Sequence, residues 1–174
     1  MSVVALSKKI CLLGDFAVGK TSLVRRFVYN LFDDKYLSTI GVKVSRKAIA
    51  LPGDGEVTEL TLMVWDLAGG EEFDQVRASY LRGAAGGILV CDLTRPTTLL
   101  SLANYARDLR RANPAAQIIV AANKQDLAAQ QRIAEEEVSA LAEQLVAPYV
   151  LTSARTGDCV EETFRYLGRL LLER

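Results

Sequence analysis

The segment KICLLGDFAVGKTS, residues 9–22, decides the fold of this chain. A short apolar run leads into the pattern G-x-x-x-x-G-K-[ST] between Gly14 and Thr21, and an apolar stripe of helical period follows. Glycines in this pattern let backbone amides turn onto phosphate oxygens, and the next helix N-terminus adds partial positive charge. Lys20 would reach the terminal phosphates, and the Thr21 hydroxyl would ligate magnesium. The segment predicts a strand, a phosphate-binding loop and a helix, but it does not choose between ATP and GTP.

Short apolar runs alternate with segments of helical period along the whole chain. This alternation is typical of βαβ units that build a mostly parallel sheet with helices on both faces. The turn-forming cluster PGDG at residues 52–55 predicts that the second and third strands pair as an antiparallel hairpin at one edge of the sheet. The predicted strands are Lys9–Leu13, Val42–Leu51, Val57–Asp66, Ile88–Asp92, Ile118–Asn123 and Tyr149–Thr152.

Apolar residues at helical spacing separate or follow these strands, and we expect them to face the core. On the hairpin, Leu60, Leu62 and Val64 share one face. Asp158 and Glu161 predict the start of the last helix, the first as a cap for free amides and the second at the positive end of the helix dipole. The helical stripes are Leu99, Leu102, Ala106 and Leu109; Val138, Leu141 and Leu145; and Val160, Phe164, Leu167 and Leu171.

The composition excludes several classes of chemistry. The chain has 174 residues, no histidine and a formal net charge of +0. Without histidine there is no Ser-His-Asp or Cys-His nucleophile and no imidazole ligand set for zinc or iron. The lack of a basic excess argues against general binding to nucleic acid. The length is typical of one compact domain, residues 1–174.

The cysteines and the apolar runs indicate the compartment. Cys11, Cys91 and Cys159 are too scattered for a disulfide framework, and each lies beside apolar residues, which predicts buried free thiols in a reducing compartment. Residues 1–10 lack the long apolar core and the small-residue cleavage site of a signal peptide, and no apolar run approaches the roughly 20 residues that span a bilayer. These features predict a soluble, cytoplasmic protein.

A second motif, NKQD at residues 123–126, directly follows the fifth predicted strand. It resembles the N-K-x-D signature of the Ras superfamily of small GTPases. A carboxylate such as that of Asp126 accepts hydrogen bonds from N1–H and the exocyclic amine of guanine, whereas adenine would leave it unpaired. The motif therefore favours GTP. The alternative, which the phosphate loop alone supports, is an ATP-dependent P-loop kinase or ATPase.

The resemblance extends over essentially the whole chain and is strongest toward the Rab-like branch of that superfamily. YLSTIG at residues 36–41 resembles the first switch of the family, and WDLAG at residues 65–69 resembles the second. YLRGA at residues 80–84 resembles the segment that follows it, and TSARTG at residues 152–157 resembles the last guanine-contacting loop. Ordered motifs at family-like spacing exclude coincidence.

The resemblance implies a fold, ligands and partners. The fold is an α/β P-loop NTPase G domain, with a six-stranded, mostly parallel sheet, one antiparallel edge strand and about five helices in three αβα layers. The ligands are GTP or GDP and Mg²⁺. The protein partners are an effector, an exchange factor and a GAP, which contact the switch regions of a monomer.

The resemblance also implies roles for the matching residues. Thr39 would place its hydroxyl on Mg²⁺ and its backbone on the γ-phosphate, Asp66 would hold the metal, and the Gly69 amide would bond the γ-phosphate. The implied catalytic residues are Lys20, Thr39 and Gly69, and the implied metal ligands are Thr21, Thr39 and Asp66. The implied nucleotide-binding residues are Gly14, Asp15, Phe16, Ala17, Val18, Gly19, Lys20, Thr21, Ser22, Phe32, Tyr36, Thr39, Gly69, Asn123, Lys124, Asp126, Ser153, Ala154 and Arg155.

For some of these residues the resemblance implies a more specific role. Phe32 would pack against the guanine and Tyr36 would close over the phosphates, the alternative for each being an ordinary packed aromatic. Residues 153–155 would present backbone amides to the guanine O6, and Lys124 would lie along the base.

Gly70 and Phe16 depart from the family pattern. Gly70 stands where most members have the glutamine that orients the attacking water, and Phe16 stands where small residues are commonest. A ring there would crowd that glutamine and the arginine finger of a GAP, which is worth roughly 10³ to 10⁵ in rate. We expect intact binding and slow hydrolysis. The alternatives are that Glu71, Glu72 or a partner's side chain positions the water, and that the protein is a GTP-binding scaffold with negligible hydrolysis.

Two further differences concern the hairpin and the C-terminus. The hairpin, Lys43 to Val64, is about four residues longer than the Rab pattern, which predicts either an altered effector set or a longer solvent-exposed turn.

The chain ends at LLLER, residues 170–174, without a prenylation motif. We expect no encoded lipid anchor, either because a tail is missing or because the protein does not use prenylation, as in bacterial Rab-like GTPases. Contact with a membrane would then need a partner or that tail.

Overall fold

The β-sheet has six strands in the order β2-β3-β1-β4-β5-β6. The computed structural model describes residues 2–33, 41–69 and 74–173. Every neighbouring pair is parallel except β2 and β3, which form the predicted antiparallel hairpin at the sheet edge. The strands are β1 Ser2–Leu13, β2 Val42–Pro52, β3 Glu56–Leu67, β4 Gly86–Asp92, β5 Gln117–Asn123 and β6 Tyr149–Leu151.

Helices connect the strands and cover both faces of the sheet. Only Ser101 separates α3 from α4, so these two helices run almost continuously. A short 3₁₀ turn, Ala128–Gln130, follows β5. The helices are α1 Lys20–Tyr29, α2 Asp74–Tyr80, α3 Pro96–Leu100, α4 Leu102–Ala112, α5 Glu135–Gln144 and α6 Val160–Leu172. The α/β fold predicted from the sequence is confirmed.

Side-chain alternation along the central strands divides the core into two clusters. On β1, Cys11 and Leu13 pack into the cluster that includes α4 and α5, whereas Ile10 and Leu12 pack into the cluster that includes α1 and α6. β4 is buried along its whole length because both of its faces are covered by helices. Each large apolar side chain removed from water in this way contributes about 1.5–3 kcal/mol. The predicted three-layer arrangement is confirmed.

The helical stripes predicted from the sequence lie mostly in these clusters. Leu102 and Leu109 of α4 are fully buried on one face of the sheet, and Phe164 and Leu167 of α6 on the other. The Phe164 ring stacks on the ring of Phe27 of α1, with centroids 3.9 Å apart and planes 2° apart. This stacked pair fixes α1, which follows the phosphate loop, against the last helix.

The hairpin has long strands and a short turn. The antiparallel register runs from Val42 opposite Leu67 to Pro52 opposite Val57, so the turn is confined to residues 53–55. β1 is also longer than predicted, because Ser2 to Lys8 continue the parallel register with β3 from Glu56 onward. The expectation of a longer solvent-exposed turn was therefore wrong.

Two predictions near the start of α6 were also wrong. Cys159, and not Asp158, precedes the helix, with a left-handed φ of 57° and no side-chain cap, and its thiol is exposed and not buried. Asp158 belongs to the preceding loop, because its carbonyl accepts from Ser153 N–H and its own N–H donates to Thr156 Oγ1. Glu161 does lie in the first turn of α6, as predicted.

None of the helices within the described ranges is long and apolar enough to cross a membrane.

Candidate functional site

The candidate site lies where the carboxyl ends of the parallel strands meet at one edge of the sheet. Loops after β1, β3, β5 and β6 enclose a cavity of about 280 Å³. This edge is where α/β sheets bind their ligands. The cavity is lined by Phe16, Ala17, Gly19, Lys20, Thr21, Ser22, Phe32, Asp33, Leu67, Ala68, Gly69, Asn123, Lys124, Asp126, Leu127, Ala154 and Arg155.

Lys20, the first residue of α1, is the cation at the floor of the phosphate loop. Its Nζ donates to the carbonyls of Gly14 and Asp15, each at 2.8 Å, and the side chain is only 7% exposed. Burial lowers the pKa of this ammonium to about 8, although the nearby carboxylates of Asp66 and Asp15 act in the opposite direction. Because a charged group buried among carbonyls is costly, an anionic ligand would stabilise its protonated form.

Three glycines let backbone segments approach where a side chain would not fit. Gly14 and Gly19 have φ of 153° and 105°, and a Cβ on Gly19 would lie 2.3 Å from Asn123 Nδ2. A Cβ on Gly69 would lie 2.6 Å from the backbone nitrogen of Phe16. The loop after β3 therefore rests directly on the phosphate loop, which brings the predicted residue Gly69 to the cavity wall.

Thr21 and Asp66 come together although they are far apart in the sequence. The Thr21 hydroxyl donates to Asp66 Oδ2 at 2.5 Å, and the Asp66 side chain is only 1% exposed. A hydroxyl and a carboxylate are hard oxygen donors of the kind that Mg²⁺ prefers. The donor set beside Lys20 therefore fits the predicted metal, with phosphate oxygens needed to complete its coordination.

Asn123 ties the loop after β6 to the phosphate loop. Its Nδ2 donates to Val18 O at 3.0 Å, and its Oδ1 accepts from Thr152 Oγ1 at 3.1 Å and from Ala154 N–H at 3.3 Å. The side chain is almost completely buried. Both the nitrogen and the oxygen of this side-chain amide are therefore used to hold neighbouring segments in position.

Asp126 lies on the cavity wall, and Ser153 orients it. The Ser153 hydroxyl donates to Asp126 Oδ1 at 2.8 Å. Ser153 does not itself line the cavity, whereas Ala154 and Arg155 do. Ser153 was predicted to present its backbone amide to the base, but that N–H donates to Asp158 O at 3.1 Å. Its side chain instead fixes one oxygen of the Asp126 carboxylate.

Asp92, at the end of β4, holds two cations against the phosphate loop. The Lys124 Nζ lies 2.9 Å from Asp92 Oδ2 and donates to Ala17 O at 3.0 Å. The Arg95 Nε lies 3.1 Å from the same oxygen, and its Nη2 donates to Phe16 O at 2.6 Å. Two successive carbonyls of the phosphate loop are thus fixed through one carboxylate. We call Asp92, Arg95 and Lys124 the brace.

The pKa of Asp92 reflects this arrangement. Burial by itself would raise the pKa of the carboxyl, but hydrogen bonds from Lys124 and from the Thr94 hydroxyl and amide, together with the positive charge of Lys124, bring it below its ordinary value. The carboxylate is therefore the stable form in the fold. Asp92 and Arg95 were not anticipated from the sequence, because no local pattern indicates that they reach the phosphate loop.

The other phosphate-loop residues that were predicted to bind nucleotide lie in different environments, and not all of them line the cavity. Asp15 does not line the cavity, because its carboxylate accepts from Ser101 Oγ at 2.7 Å and from Tyr105 Oη at 2.9 Å. Gly14 and Val18 are buried behind the cavity wall. Phe16 lines the cavity with its ring 52% exposed.

Phe32, half-exposed after α1, also lines the cavity, where an aromatic ring could cover a base. Tyr36, Thr39, Gly70, Glu71 and Glu72 lie outside the described residues, so the parts predicted for them remain predictions. Four lining residues were missed, although Leu67 and Ala68 belong to the WDLAG motif and Leu127 directly follows NKQD. The missed residues are Asp33, Leu67, Ala68 and Leu127.

The chain is similar to a known protein family over most of its length. The Ras family model matches residues 9–173, which include every strand from β2 onward and all six helices. This chain belongs to the Ras family. The segment matched begins at the strand that leads into the phosphate loop and ends after α6.

Individual relatives of this Ras-family chain are Rab proteins and proteins similar to them. It is 34% identical over 167 residues to the Ras-related protein SEC4 of Saccharomyces cerevisiae, covering 95% of this chain and 75% of the relative. It is 35% identical over 162 residues to the mouse Ras-related protein Rab-22A, covering 92% and 81%. The GTP-binding protein ypt4 of Schizosaccharomyces pombe is 34% identical over 168 residues, covering 95% and 72%. The chain is a Rab-like small GTPase.

Proposed function

We propose that this protein is a molecular switch that binds GTP and GDP with Mg²⁺ and hydrolyses GTP slowly. The observation that carries the proposal is the cavity on which the phosphate loop, Asp126 and residues 154–155 converge. The relative ypt4 is named a GTP-binding protein, which agrees with this assignment.

The choice of base rests on Asp126. Its carboxylate is held by Ser153 at the cavity wall, where guanine offers two donors and adenine offers no such pair. An acceptor that the bound base covers but leaves unpaired costs large factors in affinity, so we expect GDP to bind about 10³-fold or more tightly than ADP. Calorimetric titration of both nucleotides in Mg²⁺ measures this ratio. Asp126→Ala should weaken GDP binding and leave ADP unchanged, whereas tighter binding of ADP by the wild-type protein would overturn the proposal.

The remaining site residues would handle the phosphates. The Lys20 ammonium would donate to terminal phosphate oxygens, in place of the carbonyls that now surround it. Thr21, Thr39 and Asp66 would hold Mg²⁺, which supplies neutralising charge to the β- and γ-phosphates when bound. Contacts of Thr39 and the Gly69 amide with the γ-phosphate would order both switches, and loss of that phosphate would release them.

Two residues, Gly70 and Phe16, are the reason that we expect slow hydrolysis. Glycine at position 70 cannot orient a water molecule, and the exposed ring of Phe16 stands on the cavity wall beside the phosphate loop. In this class of reaction, catalysis depends almost entirely on positioning and electrostatic stabilisation, so the loss of the residue that orients the attacking water is costly. We therefore expect tight nucleotide binding with a low intrinsic rate.

Single-turnover hydrolysis of protein preloaded with GTP tests this expectation. Gly70→Gln should raise the rate about 10-fold or more, because an amide side chain regains the water-orienting role. Gly53→Gln, in the hairpin turn, is the matched control and should leave the rate unchanged. A wild-type rate equal to that of glutamine-bearing relatives contradicts slow hydrolysis.

Negligible turnover even in Gly70→Gln would favour the second candidate, a GTP-binding scaffold that signals by occupancy or exchange. The absence of a side chain at Gly70 is the observation that supports it. The two candidates share the nucleotide site, so they differ only in this measurement.

The partners proposed for the switch are an effector, an exchange factor and a GAP that contact the segments around Thr39 and Gly70. A monomer acting in the cytoplasm, with any contact to a membrane made through a partner, is the form that agrees with this function. Sedimentation of the GDP-loaded and GTP-loaded protein tests the monomeric state.

A further inference from the structure

The guanidinium of Arg26, on α1, reaches across to the loop after β6. Its Nε donates to Ala154 O at 2.9 Å, and its Nη2 donates to Arg155 O at 2.5 Å. Its Nη1 donates to Asn30 Oδ1 at 3.2 Å, so a residue at the end of α1 holds the guanidinium from another side. One side chain therefore binds two successive carbonyls of the predicted guanine-contacting loop.

These two hydrogen bonds determine the orientation of the peptide groups in the loop. In a planar trans peptide the carbonyl of one residue and the N–H of the next point in opposite directions. Because Arg26 holds the Ala154 carbonyl toward α1, the Arg155 N–H points away from that helix. Ala154 and Arg155 both line the cavity, and among the described residues no group accepts a hydrogen bond from the Arg155 N–H.

The neighbouring peptide of the loop is fixed by other residues. The Ser153 carbonyl accepts from Gly157 N–H at 2.8 Å, and the Ala154 N–H donates to Asn123 Oδ1 at 3.3 Å. The peptide between Ala154 and Arg155 is thus the one whose orientation depends on Arg26.

We propose that Arg26 is a positioning residue that sets the selectivity of this loop for a 6-oxo purine, an inference that rests on the proposed guanine-nucleotide function. By holding the Ala154 carbonyl, Arg26 presents the Arg155 N–H to the O6 atom of the base. The planar fork of the guanidinium suits two carbonyls at once, whereas a lysine ammonium is a single point charge on a flexible stem. Since Arg26 lies on the helix that begins at Lys20, the same helix carries the phosphate cation and the support of the base-reading loop.

Binding of two diphosphates that differ at position 6 of the purine tests this role. GDP carries O6 and an N1–H, and the diphosphate of 2-aminopurine riboside lacks both but keeps the 2-amino group that Asp126 would bind, so each variant is compared with the wild-type protein for the same nucleotide. Arg26→Ala should weaken GDP binding about tenfold and change binding of the 2-aminopurine nucleotide less than twofold, because only the first uses the oriented N–H. Arg26→Lys should fall between wild type and Arg26→Ala.

Arg25→Ala is the matched control, since it removes the same charge from the adjacent position of α1 and Arg25 makes no side-chain hydrogen bond to the described part of the loop. It should leave both affinities unchanged. An equal loss for both nucleotides in Arg26→Ala means a merely structural role and overturns the proposal, as does unchanged binding of GDP.

Thermal unfolding of each variant separates a folding defect from a loss of selectivity. If Arg26→Ala does not fold, Arg26→Lys takes its place in the test. A loss of affinity for GDP that exceeds the loss for the 2-aminopurine nucleotide then supports the proposal, and equal losses overturn it. Preference of the wild-type protein for ADP over GDP would instead reject the proposed function, which is a separate outcome.

Discussion

At the scale of single residues, the environment of each thiol sets its reactivity. Cys11 and Cys91 are buried within β1 and β4, and burial raises the pKa of each thiol to about 12. Cys159 is exposed at the start of α6, where partial desolvation and the carboxylates of Glu162 and Asp158 raise the pKa of its thiol less strongly. Since the thiolate is the nucleophile, only Cys159 combines access with a usable ionised fraction.

We expect one thiol per folded chain to react with an aromatic disulfide reagent, and all three after unfolding in guanidinium. The rate should rise about tenfold per pH unit between pH 7 and 8, because the thiolate fraction grows in that proportion below the pKa. Absorbance of the released thiol measures the stoichiometry, and Cys159→Ser should abolish the reaction of the folded protein. Rapid labelling of Cys11 or Cys91 without unfolding would contradict the burial described above.

At the scale of elements, the brace connects β4 and the loop after β5 to the phosphate loop. Asp92 is buried, and its two cationic partners each hold a carbonyl of the loop that precedes α1. The loop that would cradle phosphate is therefore positioned by neighbouring elements as well as by its own glycines. Preorganisation of this kind reduces the cost of ordering a loop on binding.

Asp92→Asn should lower the free energy of unfolding at pH 7 by about 2 kcal/mol and accelerate GDP release, because two cations lose their shared counterion. The folded-state pKa of Asp92 is depressed, so its stabilising contribution is complete above the ordinary carboxyl pKa of about 4 and is lost as the pH falls through the folded-state value.

Urea denaturation between pH 7 and pH 3 measures both effects. The difference between wild type and Asp92→Asn should stay constant down to about pH 4 and then shrink. Asp54→Asn, at an exposed position of the hairpin turn, is the control and should behave as wild type. A difference that grows on acidification would show that the brace does not stabilise the ionised form.

At the scale of the whole molecule, the sheet separates two hydrophobic clusters, and the Phe27–Phe164 pair lies in one of them. Gly168 lets α6 approach the hairpin closely, because a Cβ there would lie 3.1 Å from Ile49 Cδ1 and 3.2 Å from Leu51 Cδ1. The last helix is therefore packed against both α1 and the edge hairpin.

Phe164→Ala should destabilise the fold by about 3–5 kcal/mol, since it removes a fully buried ring and leaves a cavity. For a chain of this size that corresponds to a fall in melting temperature of about 10 °C. Tyr166→Ala is the matched control, because Tyr166 lies on the same helix but is 37% exposed. Its melting temperature should fall by no more than about 3 °C. Differential scanning calorimetry measures both melting temperatures. Equal decreases in the two variants would mean that the buried, stacked ring contributes no more to stability than an exposed one.

The sequence alone predicted the sheet, its antiparallel edge and most of the residues that line the cavity. The sheet and the phosphate loop follow from local patterns, because apolar period sets strand and helix and glycines with an adjacent lysine set the loop. The other predicted lining residues were implied by the resemblance to small GTPases. Strand ends were less certain, because the ladder between β1 and β3 extends to Ser2 through pairing that no local pattern reveals.

The tertiary structure decided which polar groups actually meet. Arg26 reaches residues 154 and 155, Ser153 orients Asp126, and the carboxylate of Asp15 turns toward Tyr105 and away from the cavity. Each of these contacts joins positions far apart in the chain, so its existence depends on how the layers pack and not on the residues beside it. The sequence by itself thus determined which loops form the site, and the packing of the layers determined how those loops are held.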